Sequence, residues 1–312
     1  MAVFTEQQNQ DIVKTKLDSV LFQIFNQDAQ PGLATARTAS IFRQEQFDKA
    51  VYQEDIYSGL PVTPQVSELG LVPQNVPSVT NYFTTTIKKF AQTVPVTKEM
   101  YDDVMHGVWP KTIQEAALKA RIAQDQNAMS IFNAGFTTYL TADGVSLFNS
   151  AHPLIGGGTQ SNVLSGGGSV LSSTSVNNAA VLLQTMKDQA GVVIGSTPKF
   201  LLVPPALFDL AIRITQSVLV GDASTNGVNV WRGIYGLEVY QSPYLSAAAG
   251  GSDTAWFMGS DYNSITRLIR SGMETEFVGW QYSDNMVYKY MCTFREAVKS
   301  ADYYGIVGSV GA

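Results

Sequence analysis

The chain has 312 residues, 45% of them apolar, which is the ordinary globular share and enough to bury one large core or two smaller ones. Only 15% are charged, with a formal net charge of −6, against about 25% in a typical soluble domain. No window carries a run of Lys or Arg, which excludes a basic face that grips nucleic acid, whereas a surface poor in Lys, Glu and Asp suits a protein buried against further copies of itself. The single cysteine, Cys292, leaves no internal disulfide and no Cys-cluster metal site. No apolar run reaches the roughly eighteen residues that a membrane helix needs, so no membrane association is expected. The N-terminus lacks a basic segment followed by an apolar one, and synthesis in a cytoplasm is expected.

Residues 5 to 26 read as an amphipathic helix: Thr5 with Gln8 has the capping-box pattern, and Val13, Leu17, Val20, Leu21 and Ile24 recur at helical spacing. A stretch with no sustained period follows through Gln30-Pro31-Gly32. From Tyr57 to Pro95, Pro61, Pro64, Pro73, Pro77 and Pro95 break any helix, and Thr80 to Val94 has strand propensity. So long a stretch without internal packing points to an outside task. As a two-armed ribbon, with arms of about twenty residues at ~3.3 Å each, it would reach roughly 60 Å and need a neighbour to cover it.

Thr97 is placed as the N-cap of a helix over 98–106, ended by Gly107. Pro110 opens a longer helix in the favoured first position. That helix runs from about 110 to 134, roughly 37 Å at 1.5 Å per residue. Leu118, Ile122, Met129, Phe132 and Phe136 form one stripe, Ile113, Ala117 and Ala120 lie beside it, and Gly135 ends it. Residues 137 to 174 are rich in Gly and Ser, with a turn signal at Asp143-Gly144 and glycine triplets at 156–158 and 166–168.

An alternation of elements follows, as in α/β organisation. It comprises a helix over 176–189 stopping at Gly191, a buried strand from Phe200 to Val203, a helix opened by Pro205, a turn at Asn226-Gly227, and strand-like runs over 229–234 and 237–245. Near the end, Met286, Tyr288, Tyr290, Cys292 and Phe294 share one side of an extended run, with Lys289, Thr293 and Arg295 on the other. This is a half-buried strand, whose sheet neighbours are expected from far away in sequence, beside the long helix.

Few residues offer chemistry. His106 precedes a helix-ending glycine, where partial positive charge complements the helix dipole. His152 with Asp143 as its orienter has the composition of a general-base pair, which makes a small hydrolase the reading from another class. Yet no G-x-S-x-G elbow occurs, Cys292 lies in an apolar stripe, and Ser146 and Ser150 lack a nucleophile's context. Asp143-Gly144 therefore reads as a hairpin turn, and His152-Pro153 as a loop anchor whose imidazole bonds nearby backbone. No metal-ligand spacing, phosphate loop or dinucleotide fingerprint is present, so no catalytic residue, metal ligand or cofactor is assigned. Lys88-Lys89 reads as protection of a strand edge.

The order of these segments resembles the major capsid proteins of tailed bacteriophages with the HK97-like fold. KKFAQTVPVTKEMYDDV (88–104) resembles the end of the extended E-loop leading into the first helix of the peripheral domain. DGVSLFNSAHPL (143–154), followed by Asn162, Leu164 and Leu171-Ser172, resembles a DG-x-x-LF…HP element of these proteins. PKFLLVPPALFDLAIRI (198–214) and LEVYQSPYL (237–245) resemble the strand, Pro-Pro, helix and later strand of the axial domain. The likeness covers roughly residues 40 to 312.

The resemblance implies an α+β (mixed α/β) chain with an N-terminal arm (1–45), an E-loop (46–95), a peripheral domain in two parts (96–159, with a spine helix at about 110–134, and 266–312) and an axial domain (160–265). It further implies a non-enzymatic major capsid protein that self-assembles, as hexamers and pentamers, into the icosahedral head shell of a phage. That shell would enclose double-stranded DNA without sequence-specific contact. The arm and E-loop are expected to extend over neighbouring copies. Portal, scaffold and decoration proteins are the implied partners, the virion head is the implied location, and assembly is expected in the bacterial host cytoplasm. An encapsulin-like compartment shell is the alternative. Some members join a Lys to an Asn between subunits; no such pair is matched here.

Overall fold

The computed structural model describes the chain except residues 1–5, 28–30, 69, 98–107, 156, 165–167, 219–228, 280–286 and 312. The cap at Thr5, the helix over 98–106 with His106, the turn at Asn226-Gly227 and most of the second glycine triplet lie outside the described residues. The rest is a mixed α+β fold. Helices α1 (Glu6–Phe25), α2 (Val108–Ala134), α3 (Ser173–Gln184) and α4 (Pro205–Gln216) surround two four-stranded sheets. In the first sheet the order is β1 (Arg43–Gln46), β10 (Thr266–Val278), β11 (Val287–Lys299), β4 (Lys88–Thr97). In the second it is β12 (Ile306–Ser309), β9 (Trp256–Ser260), β7 (Pro198–Val203), β8 (Glu238–Gln241). Two hairpins stand apart from these sheets, β2 (Val51–Tyr57) with β3 (Val79–Thr86), and β5 (His152–Pro153) with β6 (Thr159–Gln160).

The alternation in β11 folds as its sequence dictates. Tyr288, Tyr290, Cys292 and Phe294 are buried, and Lys289 is exposed. Its inner face meets Ile113, Ala117 and Ala120 of α2 and Leu17, Leu21 and Phe25 of α1. One sheet neighbour, β4, comes from some two hundred positions away, setting Phe90 against Phe294 at 4.8 Å. The other, β10, is the preceding strand of an antiparallel pair rather than a distant segment.

The bulky stripe read along the long helix is corrected. Leu118 is exposed, and the face against the sheet is Ile113, Ala117 and Ala120. Small side chains let the helix axis approach the sheet, and close packing selects them over bulk. The helix begins two residues before Pro110, and farther along Met129, Ile131 and Phe132 enter a second core with Phe148, Phe200, Phe257 and Ile306. One helix thus serves both sheets. β7 is apolar on both faces because Phe200 and Leu202 join that core while Leu201 and Val203 meet α3 and α4 residues.

Two further expectations change. The helix expected over 176–189 starts earlier, at a Ser172–Ser175 capping box, and ends at Gln184. The run over 229–234 is not a strand: Trp231–Tyr235 forms a π-helical turn ended by Gly236 at φ 55°. The first helix, α1, is packed within its own chain. It lies on its own α2 and first sheet, where Tyr290 donates to Asp18 at 2.6 Å. The segment that follows is also tied down: the Gln241 N–H donates to the Gly32 carbonyl, Ala34 N–H to the Gln241 carbonyl, and Ala36 N–H to Asp125.

Between the two cores runs a polar seam. Arg267 and Glu296 pair at 2.6 Å, both almost wholly buried, and Gln124 and Asn127 of α2 donate to the same carboxylate. Burial pushes the Glu296 carboxyl up, and the Arg267 charge opposes it. Removing one member leaves the other charge unpaired in a dry site. Arg267→Met is expected to lower unfolding free energy by about 3–5 kcal/mol, and the double substitution Arg267→Met/Glu296→Leu to recover most of it, as read from urea denaturation of unassembled subunits.

Candidate functional site

His152 and Asp143, paired in the sequence reading, do meet. Gly144 turns the chain at φ 82°, Asp143 accepts from Thr141 and from the Val145 N–H, and its second oxygen lies 2.6 Å from His152 Nδ1. The imidazole bonds side chains rather than backbone, contrary to the loop-anchor expectation. Its Nε2 faces Asn162 Oδ1 at 3.2 Å. The Asn162 amide has one possible orientation, because Nδ2 donates to the Leu147 carbonyl at 2.7 Å and Oδ1 accepts from the Asn149 N–H at 2.8 Å. Nε2 therefore carries a hydrogen and donates to Asn162. The ring is 0% exposed and stacks on Tyr303 at 3.9 Å.

Although burial alone would raise the Asp143 carboxyl, hydrogen bonds from His152 and Thr141 hold it below the usual carboxylate range. Nothing here is poised for nucleophilic attack. The Nε2–H is spent on an amide, and Ser146 donates to the Phe148 carbonyl. The Cys292 thiol is buried and pushed up by that burial. The cluster instead locks the turn at 143–144 to the Asn162 strap and to the crossover at 299–305 that links β11 to β12.

The surface that stands out is the ribbon. β2 and β3 pair over seven and eight residues, shorter than the arms of about twenty expected, and the described residues of 58–78 carry the chain onward without regular structure. Alternation divides the hairpin into two faces. Tyr52, Glu54, Ile56 and Phe83 turn toward the body, while Val51, Asp55, Tyr57 and Tyr82 turn away. At the tip Leu60, Val62, Val66, Leu71, Val72 and Val76 are all exposed, Leu71 at 96% and Val76 at 87%. Covering those six side chains would release on the order of 10 kcal/mol. Residues 50–87 hold three acidic side chains, Glu54, Asp55 and Glu68, and no Lys, Arg or His. An exposed apolar stretch of this size marks a protein interaction site. Sequence reasoning found this segment through its prolines but missed its base, where Lys299 at the end of β11 donates to Tyr52 and Glu54.

Two sheets braced by one helix, with an apolar ribbon projecting beyond them, form a mixed α+β subunit of the HK97-like fold. Residues 81–309 match the phage capsid protein family, and the chain belongs to that family. No curated protein sequence matches it. Solved structures share the fold at low identity. A protein of Microbacterium phage Oxtober96 is 14% identical with a TM-score of 0.56, over 92% of this chain and 94% of that one. The capsid of cyanophage P-SCSP1u gives 14% and 0.56, over 92% and 90%. A virus-like particle from Pyrococcus furiosus gives 11% and 0.50, over 95% and 98%.

At the base of the ribbon the Asp302 carboxyl is pushed up to about 6 by burial, then by the charges of Glu54 and Asp143, with Lys299 and His152 opposing. A carboxyl raised in the folded state binds its proton more tightly there than in the unfolded chain. Its contribution to stability is therefore full below about pH 4 and is lost as pH rises toward 6. Asp302→Asn should thus gain stability relative to wild type across that interval, by up to about 3 kcal/mol. Thermal unfolding of both forms from pH 4 to 7 measures the difference.

Proposed function

We propose that this capsid protein is the major shell subunit of a tailed-phage head, assembling as hexamers and pentamers into an icosahedral shell around double-stranded DNA. The observation that carries the reading is the exposed apolar arm at 58–78 on a chain of the phage capsid family. Such an arm reaches low free energy only against another molecule. A contact between different patches on identical subunits closes into rings and then shells. We read residues 46–95 as the E-loop, 96–159 and 266–312 as a peripheral domain around α2, and 160–265 as an axial domain at the capsomer centre. We read residues 1–45 as an arm, of which Leu17, Leu21 and Phe25 pack on the same subunit.

The net charge of −6 and the lack of basic runs suit a wall that encloses DNA without gripping it. Portal, scaffold and decoration proteins complete the particle, which assembles in the bacterial cytoplasm. The subunit performs no catalysis, a reading supported by the sealed His152 ring. An encapsulin-like compartment is the second reading, supported by the likeness to the Pyrococcus furiosus particle. Nuclease-protected DNA inside purified particles supports the head, and protein cargo alone supports the compartment.

Deleting residues 58–78 and joining Tyr57 to Val79 by a short turn tests the arm. The expected product is a folded subunit that forms no closed shells under electron microscopy. Closed shells of normal stability would contradict the reading.

A further inference from the structure

A gripping arm needs a direction as well as a surface. The body face of the ribbon rests on the last residue of β11 and on the crossover that follows. Ile56 and Phe83 pack on Ala301, with Tyr139 and Ala142 beside them. Contacts of this kind are non-directional and let a hairpin rock. One residue adds direction. Lys299 Nζ lies 2.8 Å from Tyr52 Oη, donates to the Glu54 carboxylate and sits 4.1 Å from the centre of the Tyr52 ring. Phe47 packs edge-on against that ring from the other side of the β1–β2 turn at 5.0 Å. The Lys299 side chain is 6% exposed, while Glu54 keeps about a third of its surface in water. Both hydrogen-bond partners of this buried ammonium are thus on the ribbon, and the ammonium itself belongs to the body.

We propose that Lys299 is a positioning residue that aims the ribbon before assembly. If the hairpin swings away, a desolvated ammonium loses the Glu54 carboxylate, the Tyr52 phenol and its aromatic face together and is left with the Asp302 carboxyl of the body, which is unfavourable. One ribbon angle is therefore selected in the free subunit. A pre-aimed arm loses less conformational freedom when it meets its neighbour, and subunits that present it at one angle close into uniform shells. The proposal rests on the reading of the ribbon as the arm that grips a neighbouring copy.

The test is made on unassembled subunits. Spin labels at Gln65 and Lys199, in a Cys292→Ser background, report the separation of ribbon and body. The unsubstituted latch is expected to give one narrow distance distribution. Lys299→Met should broaden it, with about a tenfold or greater loss in the ratio of aimed to splayed ribbon, as removal of one charge-assisted hydrogen bond implies. Lys299→Arg should restore much of the narrow peak, because it keeps the charge and the stacking. Should Lys299→Met fail to fold, Glu54→Gln removes the same ion pair from the partly exposed side, and the same broadening is expected. An unchanged distribution in the folded variant overturns the proposal, including the case in which only the melting temperature falls, since that marks a merely structural role. Because the distance is read before any shell forms, its failure is distinct from closed shells appearing without residues 58–78, which would instead refute the arm.

Discussion

The structure depends on the packing of α2 against both sheets at once. Its first half presents Ile113, Ala117 and Ala120 to β11, and its second half presents Met129, Ile131 and Phe132 to the core shared with β7, β9 and β12. Between them, Gln124 and Asn127 meet the buried Arg267–Glu296 pair. A helix with two apolar ends and a polar middle satisfies both neighbours best in one axial position, because sliding it would take the Gln124 and Asn127 amides away from the Glu296 carboxylate. Two small cores thereby become one tile. Gly135 serves the same packing: a Cβ there would stand 2.6 Å from the Phe148 ring, so the residue after the helix must be small whatever its part in termination.

From that tile the ribbon projects. Pro61, Pro64, Pro73 and Pro77 remove backbone donors over the stretch where the hairpin would otherwise lengthen, and pairing ends at Tyr57 and Val79. What remains is extended chain with apolar side chains in water, anchored at a base that is apolar on one side and ionic on the other. The sparse charge of the whole chain has the same origin, since a surface meant to meet copies of itself sheds Lys and Glu at the centre of each contact. His152, the residue most open to a chemical reading, belongs to the tile as well. Asp143, Asn162 and Tyr303 enclose it on every polar and aromatic side.

Much of this was legible in the sequence where a pattern is local. The period of two in β11, the long helix ending at Gly135, and the unhelical proline stretch each announce themselves within a short window. The missed elements lack such a window. Alternation in β10 is interrupted by two irregularities, between Ile269 and Ser271 and between Ser271 and Glu274. β9 is buried on every residue and shows no period. Residues 231–235 have strand-like composition but curl into a π-helical turn where the Trp231 and Tyr235 rings meet at a tilt, 5.2 Å apart. An amphipathic α1 announces that it needs a cover without saying whose, and the cover is its own subunit. The partners of His152 divide similarly: Asp143 is near in sequence and marked by its glycine, whereas Tyr303 arrives from the far end of the chain.

The central claim is that residues 58–78 are exposed in the single subunit and covered by a neighbour in the assembled particle. Hydrogen–deuterium exchange of this segment, compared between unassembled subunits and purified shells, addresses it directly. The account predicts that exchange across the arm slows by at least about tenfold on assembly, as a buried and hydrogen-bonded backbone requires, while the core strands change little. Equal exchange of the arm in both states would contradict it.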